Sequence, residues 1–343
     1  MTTGFLSSAN INSAYLTLIK NRIHFPPNSD IWHFRYHWAQ ISLNISAQLS
    51  QGRYVFRPLQ LVQKSDKTHV ALWAAEDALV INMLTLYLTP LLPVHIKCEH
   101  SKSHQGGVSS IRRVHTIIKQ SQYNYICRTD IKGYYANINK SRLLSQLSAY
   151  VTDPVVLDLL VQFLYYTVED GGNFHTTKKG IARSSSLSPL LAAFHLYCID
   201  DYFAKQPHLY YARYMDDFII LTKTRWQLKR AVAKLNHFFN NFDFKQHPVK
   251  TFIGHLRKGF DWMGFWFTDH GCVKVAPRAY SNHVMKLNRL YEQVRKLPAK
   301  WQAIRMMSYL TRWNRWKNNI LTPLTAGSRL SEALQTMCQR RDL

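Results

Sequence analysis

Acidic residues are what this sequence has least of. Its 343 residues carry 20 Asp and Glu against 44 Lys and Arg, a formal charge of +24 with histidine neutral. Cysteine is sparse too: Cys98, Cys127, Cys198, Cys272 and Cys338 are scattered, with no CxxC pair. That spacing excludes a disulfide framework and predicts a reducing compartment. Long apolar runs are missing. The most hydrophobic stretch, Ala78 to Val94, is broken by Asn82, Thr85, Pro90 and Pro93 and is too interrupted to span a bilayer. The first residues, MTTGFLSSANINSAYL, lack a basic stretch followed by a continuous apolar one. No export signal is expected, and a cytoplasmic protein without a membrane partner is. There is no internal repeat and no low-complexity tract.

What is present is apolar and basic at once. At 46% hydrophobic and 13% aromatic residues, the chain can bury a full core and is not a disordered basic tail. A folded protein with such an excess of positive charge predicts a polyanionic partner, nucleic acid first and an anionic membrane surface second.

Helical patterning covers residues 1–50, with Asp30 as an N-cap and Gly52 closing the pattern. RYVFRPLQLV at 53–62 reads as a strand, and a helix follows from about Ala71 to Leu88. VSSIRRVHTIIKQ is a helix, YICRTDI a short strand ending at an acid, and Pro154 to Thr167 a helix. Gly171-Gly172 and Gly180 frame a hairpin-like insert, and SPLLAAFHLYCIDDYFAKQ reads as one long helix. LYYARYMDDFIILTKT is a β-hairpin turning at Met215-Asp216, Arg225 to Asn241 a basic helix, and GFDWMGFWFT a strand pair. From Pro277 onward the pattern is helical, basic and rich in tryptophan. Strands and helices mixed without βαβ alternation predict an α+β fold.

The few acids are placed tellingly. Between Ser101 and Tyr150 the one carboxylate is Asp130, and between Asp201 and Asp243 the acids are Asp216 and Asp217. Aspartate is unfavourable in strands. Taken singly, Asp130 ends a strand and Asp216-Asp217 makes a turn, which needs no further explanation. Three carboxylates on two strand ends of a +24 protein instead suggest a divalent-metal site facing a polyanion, since hard oxygen ligands suit Mg²⁺.

At this point a resemblance enters. Tyr214-Met215-Asp216-Asp217 within YARYMDDFIIL resembles the catalytic hairpin of reverse transcriptases, and its companions follow in order. RTDIKGYYANI resembles the first catalytic motif, with Asp130 and, five residues on, the aromatic Tyr135. GIARSSSLSPLLAAFHL resembles the motif built around Pro-Gln-Gly and Leu-Ser-Pro-Leu, but carries Ala182-Arg183-Ser184 where Pro-Gln-Gly is usual. HPVKTFIG supplies the lysine of the next motif, Lys250, and GFDWMGFWF resembles the primer-grip hairpin. FRPL at 56–59 and WAAEDALV at 73–80 resemble the fingers motifs. The set covers roughly residues 50–270. It is similar to bacterial reverse transcriptases related to group II intron enzymes, above all the stand-alone and defence-associated groups, which share the HQGGVSSIR phrase of residues 104–112.

The resemblance implies a right-hand polymerase: residues 1–125 as N-terminal helices and fingers, 126–276 as palm, and 277–343 as a helical basic thumb. It implies an RNA-directed DNA polymerase. Asp130, Asp216 and the carbonyl of Ile131 would bind two Mg²⁺ ions, with Mn²⁺ the alternative, and Asp217 would complete the acidic cluster. Lys250 would protonate or neutralise the departing pyrophosphate. Tyr135 would reject a 2′-hydroxyl, Arg57 would hold the triphosphate (Lys64 and Arg53 being weaker candidates), and Arg183 would touch template or nucleotide. The partners so implied are RNA, a DNA product and deoxynucleoside triphosphates, with a protein partner or a second copy left open. Residues 278–343 hold 13 Lys or Arg and three acids, interleaved with Trp301, Trp313 and Trp316, which suits contact with a phosphate backbone. Cys98, His100 and His104 lack the fourth ligand of a structural zinc site. Two rivals stay open: a maturase-type RNA-binding protein, and template-independent or protein-primed synthesis, which the altered Ala182-Arg183-Ser184 loop permits. A role with a noncoding RNA in antiviral defence is implied by the family likeness alone.

Overall fold

The computed structural model describes residues 4–63, 69–100, 106–120 and 122–339. It divides into two compact units, each assembled from separated stretches of chain; elements are numbered along the chain. The first unit comprises residues 1–98, 131–205 and 235–248, the second residues 99–130, 206–234 and 249–343.

The first unit opens with helices α1 (Ser8–Arg22), α2 (Asp30–Tyr36) and α3 (Trp38–Ser50), followed by α4 (Ala75–Leu88). Ser7 caps α1 by accepting the Asn10 N–H at 3.2 Å. Helix α4 buries Leu79, Val80, Ile81, Met83, Leu84 and Leu88, apolar all round as a helix enclosed by others must be. Its one buried amide, Asn82, donates to the Ala14 carbonyl at 3.3 Å and accepts from the Ser186 hydroxyl at 2.6 Å, so the polar group is satisfied. A four-stranded sheet is centred on β1 (Leu59–Gln63) and β4 (Thr167–Asp170). These two run parallel, flanked antiparallel by β2 (His69–Leu72) and β5 (Asn173–Thr176). The expected glycine hairpin joins β4 to β5, with positive φ at both Gly171 and Gly172. The unit is completed by α6 (Tyr134–Asn137), α7 (Lys140–Ser148), α8 (Pro154–Leu164), α9 (Leu187–His195) and α10 (Tyr197–Ala204).

Five local expectations need correction. The helix expected over Pro154 to Thr167 ends at Leu164, and Thr167 opens β4, where it pairs with Thr176. The strand expected over 53–62 starts only at Leu59, because side chains have taken the earlier backbone donors: Phe56 N–H goes to Gln162 and Arg57 N–H to Asp77. The helix expected from Ala71 starts at Ala75, since 69–72 pairs with β1. Asp30 is not a cap; Ser29 holds the extended cap position, and the Asp30 carboxylate instead receives the first N–H of α4, from Ala75, at 2.6 Å. The long helix expected from Ser188 is two helices, α9 and α10, broken at Leu196. There the side-chain amide of Gln146 engages the His195 carbonyl, and its oxygen meets His195 Nδ1 at 2.5 Å.

In the second unit an antiparallel sheet runs in the order β6 (Leu209–Tyr214), β7 (Asp217–Thr222), β3 (Tyr125–Asp130), β8 (Phe252–His255). A smaller sheet of β9 (Phe260–Trp262), β10 (Phe265–Thr268) and β11 (Gly271–Val275) lies in the same unit. One core joins them: Ile111, Val114 and Ile118 of α5 (Gly106–Gln120) cluster with Ile126, Ala212, Ile219, Leu221, Trp262, Phe265 and Phe267. The buried Trp262 indole donates to Ser110 at 2.9 Å. Helix α11 (Arg225–Asn241) begins in this unit, and α12 (Pro277–Val294) and α13 (Ala299–Gln339) end it. Trp316 packs on Phe265, Trp313 stacks on His283, and Trp301 is exposed, so two of the three tryptophans serve packing. The α+β class is as expected. Among the described residues no helix is long and apolar enough to cross a membrane.

Gly180 shows how tightly the first unit is closed. It has φ +84, its N–H meets the Ile138 carbonyl, and Ile181 N–H meets the Tyr135 carbonyl, both at 2.8 Å. A Cβ there would lie 2.7 Å from the Ala136 carbonyl oxygen. Gly180→Ala is expected to lose at least about 1–2 kcal/mol, the left-handed penalty alone, with backbone overlap added. A urea midpoint equal to wild type would contradict this.

Candidate active site

The site lies in the second unit, at the end of the large sheet. Strands β6 and β7 are joined by the two residues Met215 and Asp216, so Tyr214 faces Asp217 across the hairpin. Met215 carries φ 54, a left-handed backbone that side chains rarely adopt. Two neighbours hold it there. The Met215 N–H donates to His100 Nδ1 at 3.0 Å, and its carbonyl accepts from the fully buried Arg213 at 2.9 Å. The Arg213 carbonyl in turn accepts Glu99 N–H at 2.7 Å, and the buried Glu99 carboxylate pairs with Arg113 at 2.9 Å. A strained residue held this firmly is typical of functional turns.

Asp130 ends β3 directly opposite Asp217 on β7. Facing residues of a ladder project to the same side, so the two carboxylates share a face with Arg128, two residues before Asp130. Lys250 Nζ reaches Asp130 Oδ2 at 2.5 Å. Arg128, almost fully buried, donates to the Lys250 carbonyl at 2.5 Å, lies 2.9 Å from Asp217 Oδ1 and 3.5 Å from Asp261 Oδ1. Thr129 and Thr251 hydroxyls bond at 2.7 Å beside it. The Asp217 carboxyl is pushed up to about 6, first by burial, then by the like charges of Asp130 and Asp216; Arg128 and Lys250 oppose the rise without cancelling it.

Asp217 Oδ1, although beside the guanidinium, is a buried oxygen with no hydrogen bond. Among the described residues no three His, Cys, Asp or Glu side chains form a ready-made metal cluster. The donor set nonetheless fits a hard divalent cation: carboxylate oxygens only, one of them without a hydrogen bond, and a carboxyl raised by burial and then by neighbouring acids, which bound positive charge would offset.

A family model described as reverse transcriptase (RNA-dependent DNA polymerase) matches residues 75–267. The chain belongs to the reverse transcriptase family. Membership carries the right-hand polymerase fold that the motifs implied. The COX1/OXI3 intron 1 protein of Saccharomyces cerevisiae is 21% identical over 219 residues, 61% of this chain and 26% of that protein. The chain thus spans about a quarter of that relative. Telomerase from Candida albicans, solved with a TWJ fragment of telomeric RNA, is 14% identical with a TM-score of 0.47, over 84% of this chain and 61% of that one.

The hairpin acids, Asp130 and Lys250 all belong to the second unit. Ile131, fully buried and bridged to Gln246, begins the next segment of the first unit. In that unit Tyr135 is buried, with the Arg183 guanidinium over its ring at 5.7 Å from the centroid. Arg57 is exposed and paired with Glu76 at 2.8 Å. The neighbouring acid, Asp77, takes the Tyr54 hydroxyl at 2.8 Å and is pushed up to about 6 by burial. A cavity of about 330 Å³ lined by Arg22, Trp73, Asn82, Arg183 and Ser184 leaves Trp73 Nε1 and Ser184 Oγ without partners. Arg53 is exposed. Lys64 and His104 lie outside the described residues, and Cys98 is buried. Of the primer-grip residues, Phe260 and Trp262 are core, while Met263 and Gly264 form the left-handed turn between β9 and β10.

Sequence reasoning missed Arg128, Asp261 and Arg213, and weighed His100 only as a zinc ligand, not as the acceptor that holds Met215. For Arg128 a signal existed: period two puts it on the face of Asp130.

The raised Asp217 carboxyl has a signed consequence. Folded protein holds that proton more tightly than unfolded chain, so without metal its contribution to stability is lost as pH rises from about 4 to 6. Asp77 acts in the same direction. In EDTA, Asp217→Asn should flatten the fall in unfolding free energy across that window by about 1–3 kcal/mol, leaving the Asp77 share. Identical slopes for variant and wild type would refute the assignment.

Proposed function

We propose that this chain copies RNA into DNA, adding deoxynucleotides to a 3′-hydroxyl. The observation that carries the reading is the placement of Asp130 and Asp217 opposite one another with Asp216 on the strained turn beside them. Asp130 and Asp216, with the Ile131 carbonyl, would hold two Mg²⁺ ions, Mn²⁺ serving as the substitute. When bound, these ions supply the positive charge that phosphoryl transfer requires. Asp217 holds the cluster's third negative charge. Lys250 keeps an ammonium proton beside Asp130 and gives it to the leaving pyrophosphate.

Tyr135 excludes the 2′-hydroxyl, a role that rests on its place five residues after Asp130. Arg57 holds the triphosphate once released from Glu76. The partitions 1–125, 126–276 and 277–343 serve as fingers, palm and thumb, the thumb following a duplex backbone with its basic helices. A bacterial origin, a noncoding RNA partner and antiviral defence rest on motif likeness alone, and a cytoplasmic setting on the scattered cysteines. A second reading, template-independent synthesis, is favoured by Arg183. It stands where glutamine is usual and stacks on Tyr135 beside unpartnered donors.

Primer extension on an RNA template decides the main reading. Asp216→Asn with Asp217→Asn should lower incorporation by about 10³-fold or more while RNA binding persists. Near wild-type extension would end it. Product that ignores template sequence would move the weight to the second reading.

Tyr135→Ala should narrow the ratio of kcat/KM for a deoxynucleotide over its ribonucleotide by about tenfold or more, because the barrier is steric. An unchanged ratio with activity retained removes Tyr135 from the site.

A further inference from the structure

Arg128 is a charged side chain buried in the second unit, where burial is costly. Its side chain is 7% exposed, on a strand face shared with Ile126 and opposite the pairing partner Phe252. Burying such a charge costs several kcal/mol unless partners return it, and a well-packed apolar residue is often as stable or more so. The partners here are specific. One nitrogen bonds the Lys250 carbonyl, a second faces Asp217 Oδ1, and Nε faces Asp261 on the neighbouring sheet. Lys250 is thereby fixed twice from β3, by its carbonyl to Arg128 and by its ammonium to Asp130.

We infer that Arg128 is a positioning residue, a resident cation that balances Asp217 and seats Lys250 beside Asp130. This rests on the polymerase reading above. A fixed positive charge beside the acids weakens metal binding through space, so its retention must serve geometry. A planar fork can hold a carbonyl and a carboxylate together; a lysine ammonium supplies the charge without the fork.

The two contributions separate by substitution. Mn²⁺ binding followed by electron paramagnetic resonance needs no turnover, and primer extension gives kcat and KM. Arg128→Met removes charge and fork; it should bind Mn²⁺ about 3–10-fold more tightly yet lower kcat about 10–100-fold, with KM for the deoxynucleotide within about threefold. Arg128→Lys should return Mn²⁺ affinity to within about twofold of wild type while kcat stays low. Ordinary loosening of the fold would weaken both together. If Arg128→Met does not fold, Arg128→Lys in a Lys250→Ala background decides. The second substitution should then cost much less than it does alone, since the group it seats is gone. Weaker Mn²⁺ binding by Arg128→Met, an unchanged kcat in Arg128→Lys, or full additivity with Lys250→Ala would each overturn the proposal. A wild type that binds Mn²⁺ but never incorporates nucleotide would sink the polymerase reading, while the Mn²⁺ comparison would still judge the charge of Arg128.

Discussion

Two carboxylates that face each other across a β-ladder repel, and much of the second unit is arranged to contain that repulsion. Asp130 and Asp217 occupy paired positions on β3 and β7, where like charges are destabilising. Each has been given its own cation, Lys250 for Asp130 and Arg128 for Asp217. Because Arg128 also binds the Lys250 main chain, the two neutralising groups are tied to one another. The Asp217 carboxyl is still raised, first by burial and then by the charges of Asp130 and Asp216. A stable protein with no further purpose would have removed one of these acids. Leaving the cluster short of positive charge is what prepares it for a divalent cation.

The turn obeys the same economy of strain. A methionine in left-handed backbone is held by a histidine on one side and a buried arginine on the other. Arg213 is itself fixed through its carbonyl by the segment at Glu99, whose carboxylate is anchored by Arg113 of α5. The turn that carries Asp216 is thus held both by a neighbour on its own strand, Arg213, and by His100, 115 positions away.

Local chemistry made part of this visible in the sequence alone. The hairpin at Met215-Asp216, the glycine turn at Gly171-Gly172 and helix α11 follow from period, turn residues and length, and they stand where expected. The element boundaries that shifted did so through distant partners. Backbone donors at Phe56 and Arg57 were claimed by Gln162 and Asp77, and the α9–α10 break depends on Gln146. For the site, scarcity pointed to Asp130, Asp216 and Asp217, because a basic protein has few acids to misplace. Scarcity works against finding arginine, one among 44 basic residues. The bond of His100 to the turn and the place of Asp261 become legible only when the hairpin and the small sheet are built.

The order of strands bears on how the chain reaches its fold. Strand β3 lies between β7 and β8, and the Arg128–Lys250 bond joins residues 122 positions apart. At ribosomal speeds of about 5–20 residues per second, β3 waits several seconds or more for either neighbour. Until then an apolar strand ending in a lone acid has both edges open. Such non-local pairing slows folding and exposes aggregation-prone edges. The nascent polypeptide is thus most vulnerable between synthesis of β3 and arrival of β8, the interval in which a chaperone or a bound polyanion would protect it best.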